Sequence, residues 1–217
     1  MNHFDVAIIG LGPAGSMAAL LLESYGMKVL CIDKERDIYD LPRAVTISDQ
    51  GFRMSQLVGI DEIYLKNSTI LGGAYFSDKN LEIIGGSIDL KGFISANGWP
   101  PSSLFHQPYT DRDIRNKLES SNIEIILEHE FISLNQNQES VSFKTINLKN
   151  QKEIEFTSRY LIGSDGGSSA VRKELGIQQE DLNYNRDWVV IDVELINPDK
   201  LGDKLIQVCD AERLATF

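Results

Sequence analysis

Several features that define common protein classes are scarce in this chain of 217 residues. It has two cysteines, Cys31 and Cys209, which are too few for a disulfide framework. Its three histidines, His3, His106 and His129, lie far apart and lack the spacing of metal ligands. The sequence therefore predicts neither a disulfide-stapled domain nor a metal site.

Positive charge and long apolar runs are scarce as well. The formal net charge of −11 argues against a nucleic-acid partner and against an anionic membrane surface. No apolar run reaches the length of a transmembrane helix, and no basic-then-apolar signal segment is found. The expectation is a cytoplasmic protein of one large or two small domains.

The most informative stretch lies near the N-terminus. Residues 5–9 are predicted to form a buried strand, and a G-x-G-x-x-G turn follows directly. From Pro13 onward apolar residues repeat at helical spacing, and Gly26 ends the predicted helix. A second strand is predicted over residues 28–32 and ends in Asp33. This order of strand, helix and strand is typical of dinucleotide-binding folds.

Each residue type in this turn suits a phosphate-bearing ligand. Gly10 permits the tight turn, Gly12 lets a pyrophosphate approach the backbone, and Gly15 allows the helix to pack closely on the strand. Pro13 suits the first helical turn, whose free N–H groups attract phosphate. Asp33 can accept a ribose hydroxyl, which favours FAD or NAD over NADP. The alternative is a turn that uses glycine for packing alone.

A similar strand, glycine turn and helix recur late in the chain. Residues 159–163 are predicted to form a strand, Asp165-Gly166-Gly167 a turn, and residues 170–175 a helix. Asp165 could reach a ribose or a pyrophosphate, and Arg172 could meet a phosphate. The alternative is an Asp–Gly turn followed by a solvent-facing arginine, and spacing alone leaves both open.

The remaining pattern predicts further helices and a β-meander. Helices are predicted over residues 48–58, 61–66 and 109–121. Strands are predicted over 123–127, within 130–156, over 188–195 and over 206–209, with a hairpin within 69–89. Thr110 is expected to cap the helix over 109–121. His106, just before this helix, is expected to serve packing or hydrogen bonding rather than general-base catalysis.

Three segments together resemble the class A flavin-dependent aromatic monooxygenases, which have the para-hydroxybenzoate hydroxylase fold. They are residues 10–15 with Asp33, the Asp-Leu-Pro-Arg-Ala segment 40–44, and residues 160–177. The third carries the family's D-G signature and the continuation S-x-V-R-x-x-L-G-I. Segments 98–100, 105–108 and 188–192 look most like the 3-(3-hydroxyphenyl)propionate hydroxylases of that family.

The resemblance implies a fold and a cofactor. The fold would be α/β: a Rossmann-like FAD-binding domain with a parallel sheet and a β-meander, plus a portion of a β-rich substrate domain. In such enzymes NADH or NADPH reduces the bound FAD, and O₂ then serves to hydroxylate a phenolic ring. The implied partners are therefore a small aromatic substrate and O₂. Epoxidases or prenyl-group reductases of the same fold are the alternative flavoproteins.

The resemblance also implies roles for individual residues. Arg43 would lie beside the FAD pyrophosphate on a loop that such enzymes use when the flavin moves, and Gln107 would contact the flavin side chain. Asp165 would serve the FAD and nicotinamide sites, with Arg172 near the pyridine nucleotide. The implied cofactor-binding residues are Gly10, Gly12, Pro13, Ala14, Gly15, Asp33, Lys34, Arg43, Ala44, Gln107, Asp165, Gly166 and Arg172.

One family motif has no counterpart in the chain. The second FAD motif, G-D-A-x-H followed by proline, is not found. The expectation is therefore an N-terminal portion of such a monooxygenase. Its predicted segments are a first FAD-binding segment (1–70), a β excursion toward the substrate domain (71–104), a second FAD-binding segment with the D-G motif (105–180) and the start of a substrate-domain sheet (181–217).

Two other interpretations stay open for such a portion. One is a non-catalytic FAD-binding fragment, and the other is half of a split flavoprotein that needs a complementing C-terminal chain. An unpaired sheet edge over residues 189–193 would also favour a homodimer.

Overall fold

The computed structural model describes residues 3–41, 43–183, 187–191, 193–194, 196–197 and 202–217. The chain divides into two compact units. The first consists of Met1–Arg43, Met54–Asn67 and His106–Glu180, and the second of Ala44–Arg53, Ser68–Phe105 and Asp181–Phe217. Each unit is therefore built from three separate stretches of chain. The functional labels of the four predicted segments stay predictions.

The described residues form strands and short to medium helices in a mixed order. The strands are β1 (Phe4–Ile9), β2 (Val29–Ile32), β3 (Thr46–Ser48), β4 (Ser68–Ile70), β5 (Gly73–Ser77), β6 (Ile83–Asp89), β7 (Ser102–Phe105), β8 (Glu124–Ile126), β9 (His129–Gln136), β10 (Val141–Asn147), β11 (Glu153–Gly163), β12 (Lys204–Val208) and β13 (Ala215–Thr216). The helices are α1 (Pro13–Ser24), α2 (Asp49–Leu57), α3 (Asp61–Lys66), α4 (Gln107–Glu119) and α5 (Ala170–Glu174). None of these helices is long and apolar enough to cross a membrane.

The first unit is an α/β unit with a six-stranded mixed sheet. The strand order is β8-β2-β1-β11-β10-β9. Strands β8, β2, β1 and β11 run parallel, while β10 and β9 add an antiparallel meander. Ligands of parallel sheets bind beyond the carboxyl ends of the strands, and the predicted site residues follow β1, β2 and β11 in the sequence.

Apolar side chains of the sheet and of α5 make the core of this unit. They come from β1, β2, β9 and β10 and from the inner face of α5, and burying each large one fully contributes about 1.5–3 kcal/mol. The cluster consists of Phe4, Ala7, Ile9, Leu30, Ile32, Phe131, Phe143 and Val171. This core holds the ends of β1 and β2 at fixed positions.

Strand β11 corrects one prediction. The sequence analysis divides this region between the meander and a separate short strand over 159–163, but the structure has one strand of 11 residues. Its first half pairs antiparallel with β10, and its second half pairs parallel with β1, with Ser158 in both registers. The polar residues Thr157 and Ser158 lie between the two predicted strands, but backbone pairing on both sides keeps the chain extended.

Helix α4 corrects a second prediction, because His106 and not Thr110 caps it. The Nδ1 atom of His106 accepts the Tyr109 N–H at 3.4 Å. Thr110 is fully buried inside the helix, where its hydroxyl donates to the carbonyl oxygen of His106 at 3.1 Å. The expected hydrogen-bonding role of His106 is confirmed. Pro108 fits the first turn because it needs no N–H partner there.

The second unit is built from two small sheets. One has the order β3-β7-β4 and is antiparallel. The other has the order β13-β12-β5-β6, in which β5 and β6 form the predicted hairpin. The carboxylate of Asp78 stabilises the hairpin turn by accepting the N–H groups of Asn80 and Glu82 at 2.8 and 2.9 Å. Strand β7 lies in a stretch that has no strand pattern in the sequence.

The strand predicted over 188–195 is wrong for the described residues. Residues 188–191 and 193–194 form no strand, while Asp192 and Leu195 lie outside the described residues. Trp188 and Val189 are 82% and 80% exposed. Apolar and β-branched residues form a strand only where a neighbouring strand supplies hydrogen bonds and packing. The described residues therefore do not form the sheet edge on which the homodimer prediction depended.

Candidate functional site

A cavity of about 600 Å³ lies in the first unit, where β1, β2 and β11 end. Both glycine turns line it, together with side chains from the N-terminal half of α4. Ten predicted site residues line it: Gly10, Gly12, Pro13, Ala14, Asp33, Lys34, Arg43, Gln107, Asp165 and Gly166. Its volume falls within the range of about 300–1,000 Å³ that is common for small-molecule sites.

The first glycine turn is tightly packed on one side and open on the other. Gly10 has a φ of +96°, and a side chain there would meet the carbonyl oxygen of Ser164. A Cβ atom on Gly15 would collide with the carbonyl oxygen of Gly10. A Cβ atom on Gly12, by contrast, would have no atom within 4 Å. Gly10 and Gly15 therefore serve the packing of the turn, and Gly12 leaves space above it.

Ser164 joins the two glycine turns. Its hydroxyl lies 2.7 Å from the carbonyl oxygen of Gly10 and 3.0 Å from that of Ile9. The Ser164 N–H also donates to the Ile9 carbonyl at 2.8 Å. The sequence analysis gives this serine no role of its own. Its position directly after a strand, beside the Asp-Gly turn, was the available signal.

Asp33 is held rigidly at the end of β2. Its Oδ2 atom accepts the Leu11 N–H at 2.6 Å, and its Oδ1 atom accepts the Glu35 N–H at 2.8 Å. A carboxylate has about four acceptor positions, so two of them stay available after these bonds. Asp33 is thus fixed against the first glycine turn and can still accept ribose hydroxyls.

Asp165 caps α5 as well as lining the cavity. It accepts the Ser169 hydroxyl at 2.5 Å, the Ala170 N–H at 2.6 Å and the Val171 N–H at 3.2 Å. Ser169 itself accepts the Arg172 N–H at 3.0 Å. The Asp–Gly turn therefore has a structural role, and the carboxylate also borders the cavity.

Three side chains on one face of α4 form a polar wall of the cavity. Gln107, Asp111 and Arg115 follow one another at intervals of four residues, and all three line it. The amide of Gln107 accepts the Arg43 N–H at 2.8 Å and donates to Asp111 at 3.1 Å. This amide therefore ties the loop that carries Arg43 to α4.

The charges of this wall affect one another. Burial raises the pKa of the Asp111 carboxyl, while the Gln107 hydrogen bond and the Arg115 and Arg43 guanidiniums oppose the rise. Arg115 is only 9% exposed. The guanidinium of Arg43 lies over the Tyr39 ring, 4.1 Å from its centroid. The sequence analysis missed Asp111 and Arg115 as site residues. Their spacing of four and eight residues from Gln107 indicates that all three lie on one face of a helix.

Three predicted site residues do not line the cavity. Gly15 lies beneath the turn, as described above. Ala44 is an exposed residue of the second unit. Arg172 donates from Nη1 to the Ile177 carbonyl oxygen at 3.0 Å, beyond the end of α5. Their cofactor roles stay predictions. Within the described residues of the chain, no three His, Cys, Asp or Glu side chains group as metal ligands would.

Comparison with known proteins decides the family. A family model described as "FAD binding domain" matches residues 3–208. The chain belongs to the FAD binding domain family. FAD is therefore the cofactor of the family, and the predicted α/β fold with its FAD-binding sheet is confirmed.

Relatives of this FAD binding domain protein include longer enzymes. It is 32% identical over 220 aligned residues to 3-(3-hydroxy-phenyl)propionate/3-hydroxycinnamic acid hydroxylase 1 of Burkholderia vietnamiensis. The alignment covers 96% of this chain and 33% of that protein. The chain thus spans about a third of the length of this relative.

Solved structures share the fold. The p-nitrophenol 4-monooxygenase of Pseudomonas putida superposes with a TM-score of 0.74 at 22% identity, over 81% of this chain and 44% of that one. The flavin-dependent monooxygenase PieE, solved with FAD and substrate, gives a TM-score of 0.70 at 24% identity, over 81% and 32%.

The cavity residues of this FAD binding domain protein fit the cofactor. The space above Gly12 is open, the N-terminal turn of α1 begins there, and two guanidiniums line the same cavity. Diphosphates are bound by such helix ends and by arginine, whereas carboxylates such as Asp33 accept ribose hydroxyls. The Arg115 Nε atom is buried and has no hydrogen-bond partner among the described residues.

Proposed function

We propose that this chain is the FAD-binding portion of a monooxygenase that hydroxylates a phenolic aromatic acid such as 3-(3-hydroxyphenyl)propionate. NADH or NADPH would be the reductant and O₂ the second substrate. The observation that carries the proposal is the cavity where β1, β2 and β11 end, lined by both glycine turns. The similarity to the B. vietnamiensis hydroxylase over 96% of the chain supports the reaction class.

The proposal gives the cavity residues distinct roles. The Gly10–Gly12 backbone and the first turn of α1, with Pro13 and Ala14, would receive the diphosphate. Asp33 would accept the adenosine ribose hydroxyls, with Lys34 beside it.

The flavin end would be held by the second glycine turn and by α4. Asp165 and Gly166 would border the flavin half, and Gln107 would contact the flavin side chain. Arg43 would lie near the diphosphate, and the hydrogen bond from its N–H to Gln107 would hold its loop against α4. Bound FAD would supply the redox chemistry and the activation of O₂.

A second candidate is a FAD-binding chain that acts only with a complementing chain. The observation that favours it is the length of the relatives, of which this chain spans about a third. The two candidates share the FAD site and differ only in what the isolated chain can catalyse.

A flavin titration tests the shared site. The purified chain should show a flavin spectrum, and its apo form should bind FAD with one-to-one stoichiometry. No FAD binding by a folded chain would refute the proposal. NADH or NADPH oxidation that increases with 3-(3-hydroxyphenyl)propionate would favour the monooxygenase. FAD binding without oxidation would favour the complementing chain.

A further inference from the structure

The side chain of Arg115 is a buried charge with an incomplete set of partners inside the first unit. It lies on α4, is 9% exposed, and borders the cavity. Its Nε atom is buried and has no hydrogen-bond partner among the described residues. A buried cation without a full set of partners is costly, and native proteins almost always pair such groups. Because Arg115 also lines the cavity, a ligand bound there is a source of acceptors for the guanidinium.

The charge of Arg115 acts on groups of two elements, α4 and β2. Its charge acts on the Asp111 carboxyl, one helical turn earlier, and on the Cys31 thiol of β2. Asp111 already accepts the Gln107 amide at 3.1 Å. Asp33 follows β2 two residues after Cys31 and borders the same cavity. Arg115 and Asp33 therefore border one cavity, the one that is proposed to hold the dinucleotide.

The other charges of the cavity make this guanidinium unusual. Six carboxyl side chains line the cavity: Asp33, Glu35, Asp37, Asp111, Glu130 and Asp165. The lysine and arginine residues that line the cavity are Lys34 and Arg43, which are exposed, and Arg115, which is buried. An anionic ligand in such an acidic cavity needs a cation at a fixed position. A buried guanidinium provides one, and its planar donors match phosphate oxygens.

We propose that Arg115 binds the diphosphate of an ADP-containing dinucleotide from within the cavity wall. This inference rests on the proposed FAD-binding function and adds a residue that binds the phosphate charge directly. Gln107 bonds to Asp111 on α4 and to the backbone of Arg43, and so fixes the Arg43 loop against the helix. Arg115 supplies the positive charge that binds the negatively charged diphosphate.

Calorimetric titrations of the whole chain with FAD, ADP, riboflavin and adenosine test the proposal. Arg115→Met removes the charge at similar length, Arg115→Lys keeps the charge but loses the planar donors, and Arg112→Met is the matched control. Arg112 lies on the same helix but is exposed, 3.7 Å from Asp40. Arg115→Met should bind ADP and FAD about tenfold to a hundredfold more weakly. Its affinity for adenosine and riboflavin should not change, and Arg112→Met should match the wild type.

Several outcomes would overturn the inference. One is an unchanged affinity of Arg115→Met for ADP. Another is an equal loss of affinity for ADP and for adenosine, which would mean that Arg115 has a structural role only. If Arg115→Met does not fold, Arg115→Lys decides, because it should weaken ADP but not adenosine. FAD binding that is equal in all variants overturns the inference and leaves the proposed function intact. ADP binding that depends on Arg115, in a chain that does not bind FAD, supports the inference and overturns the proposed function. A wild type that binds neither ADP nor FAD overturns the inference and the proposed function.

Discussion

The two thiols of this chain occupy opposite environments. Cys31 lies in β2 with no exposed surface, and burial raises the pKa of its thiol to about 12. Cys209 is exposed and free. Because the thiolate is the reactive form, Cys31 should be inert in the folded protein.

A thiol-labelling experiment checks this expectation. At about pH 8 a thiol reagent should modify one cysteine per folded chain, and the second only after denaturant is added. Cys209→Ser should abolish the fast reaction. Equal rates for both thiols in the native protein would contradict the burial of β2.

The stabilising contributions of two neighbouring aspartates on α4, Asp111 and Asp113, should change with pH in opposite directions. Burial raises the pKa of Asp111. Hydrogen bonds from Asn67 and Lys66 lower the pKa of Asp113. The folded protein therefore holds the Asp111 proton more tightly than the unfolded chain does, and the Asp113 proton less tightly.

The sign of each effect on stability follows from linkage. The contribution of Asp111 to the free energy of unfolding is fully present below the pKa that Asp111 has in the unfolded chain, about 3.9. It is lost as the pH rises through the pKa that Asp111 has in the folded protein. The Asp113 contribution is present above about pH 3.9 and is lost as the pH falls through the folded pKa.

Urea unfolding between about pH 3 and pH 6 measures both effects. The stability of the wild type relative to Asp111→Asn should increase as the pH falls. The stability of the wild type relative to Asp113→Asn should increase as the pH rises. Parallel slopes for the two variants would contradict the assigned environments.

The site shows why sequence motifs find only some of the functional residues. The glycines and Asp33 are recognisable because their spacing reflects a turn between adjacent elements. In the sequence, Asp111 suits the first turn of a helix, where acids favour the helix dipole. Its actual position depends on which face of α4 borders the cavity, and tertiary packing decides that. The spacing of Gln107, Asp111 and Arg115 marks a helix face but not what lies opposite.

At the level of single elements, the first glycine turn allows a matched comparison. Gly12→Ala places its Cβ atom in open space, whereas Gly15→Ala places it against the carbonyl oxygen of Gly10. Gly12→Ala should change the free energy of unfolding by less than about 0.5 kcal/mol. Gly15→Ala should lower it by about 1–3 kcal/mol, because backbone must shift to accommodate the methyl group.

The two variants should differ in FAD binding as well. Gly12→Ala should fold normally and bind FAD more weakly, since its methyl group occupies the space above the turn. Urea unfolding and FAD titration of both variants give the two measurements. A Gly12→Ala variant with wild-type FAD affinity would show that the ligand does not approach this backbone.

The elements also show where sequence patterns mislead. The apolar and β-branched residues over 188–195 predict a strand, but the described residues there have no strand partner. The polar residues within β11 predict a break, but pairing with β1 and β10 keeps the chain extended. The helices and the strand–turn–helix motifs were predictable because they depend on local sequence. Strand pairing over long distances is not local, and errors concentrated there.

For the molecule as a whole, ligand binding should appear as stability. A ligand that binds only the folded state adds about 2.7 kcal/mol when its free concentration is a hundred times its Kd. For a chain of this length that corresponds to a Tm increase of about 5–10 °C. FAD should produce this increase in a thermal melt. Riboflavin, which has no diphosphate, should produce much less, and an equal effect of both would argue against diphosphate recognition.

The double pairing of β11 has a consequence during synthesis. Phe4 pairs with Ser158, so 158 − 4 = 154 residues separate the partners. At a synthesis rate of about 5–20 residues per second, the partner strand leaves the ribosome about 8–30 s after β1. During that interval β1 is an apolar segment with one unpaired edge, the kind of nascent chain that aggregates unless chaperones shield it. Completion of the six-stranded sheet must wait for residue 163, and completion of the cavity must wait for Ala170.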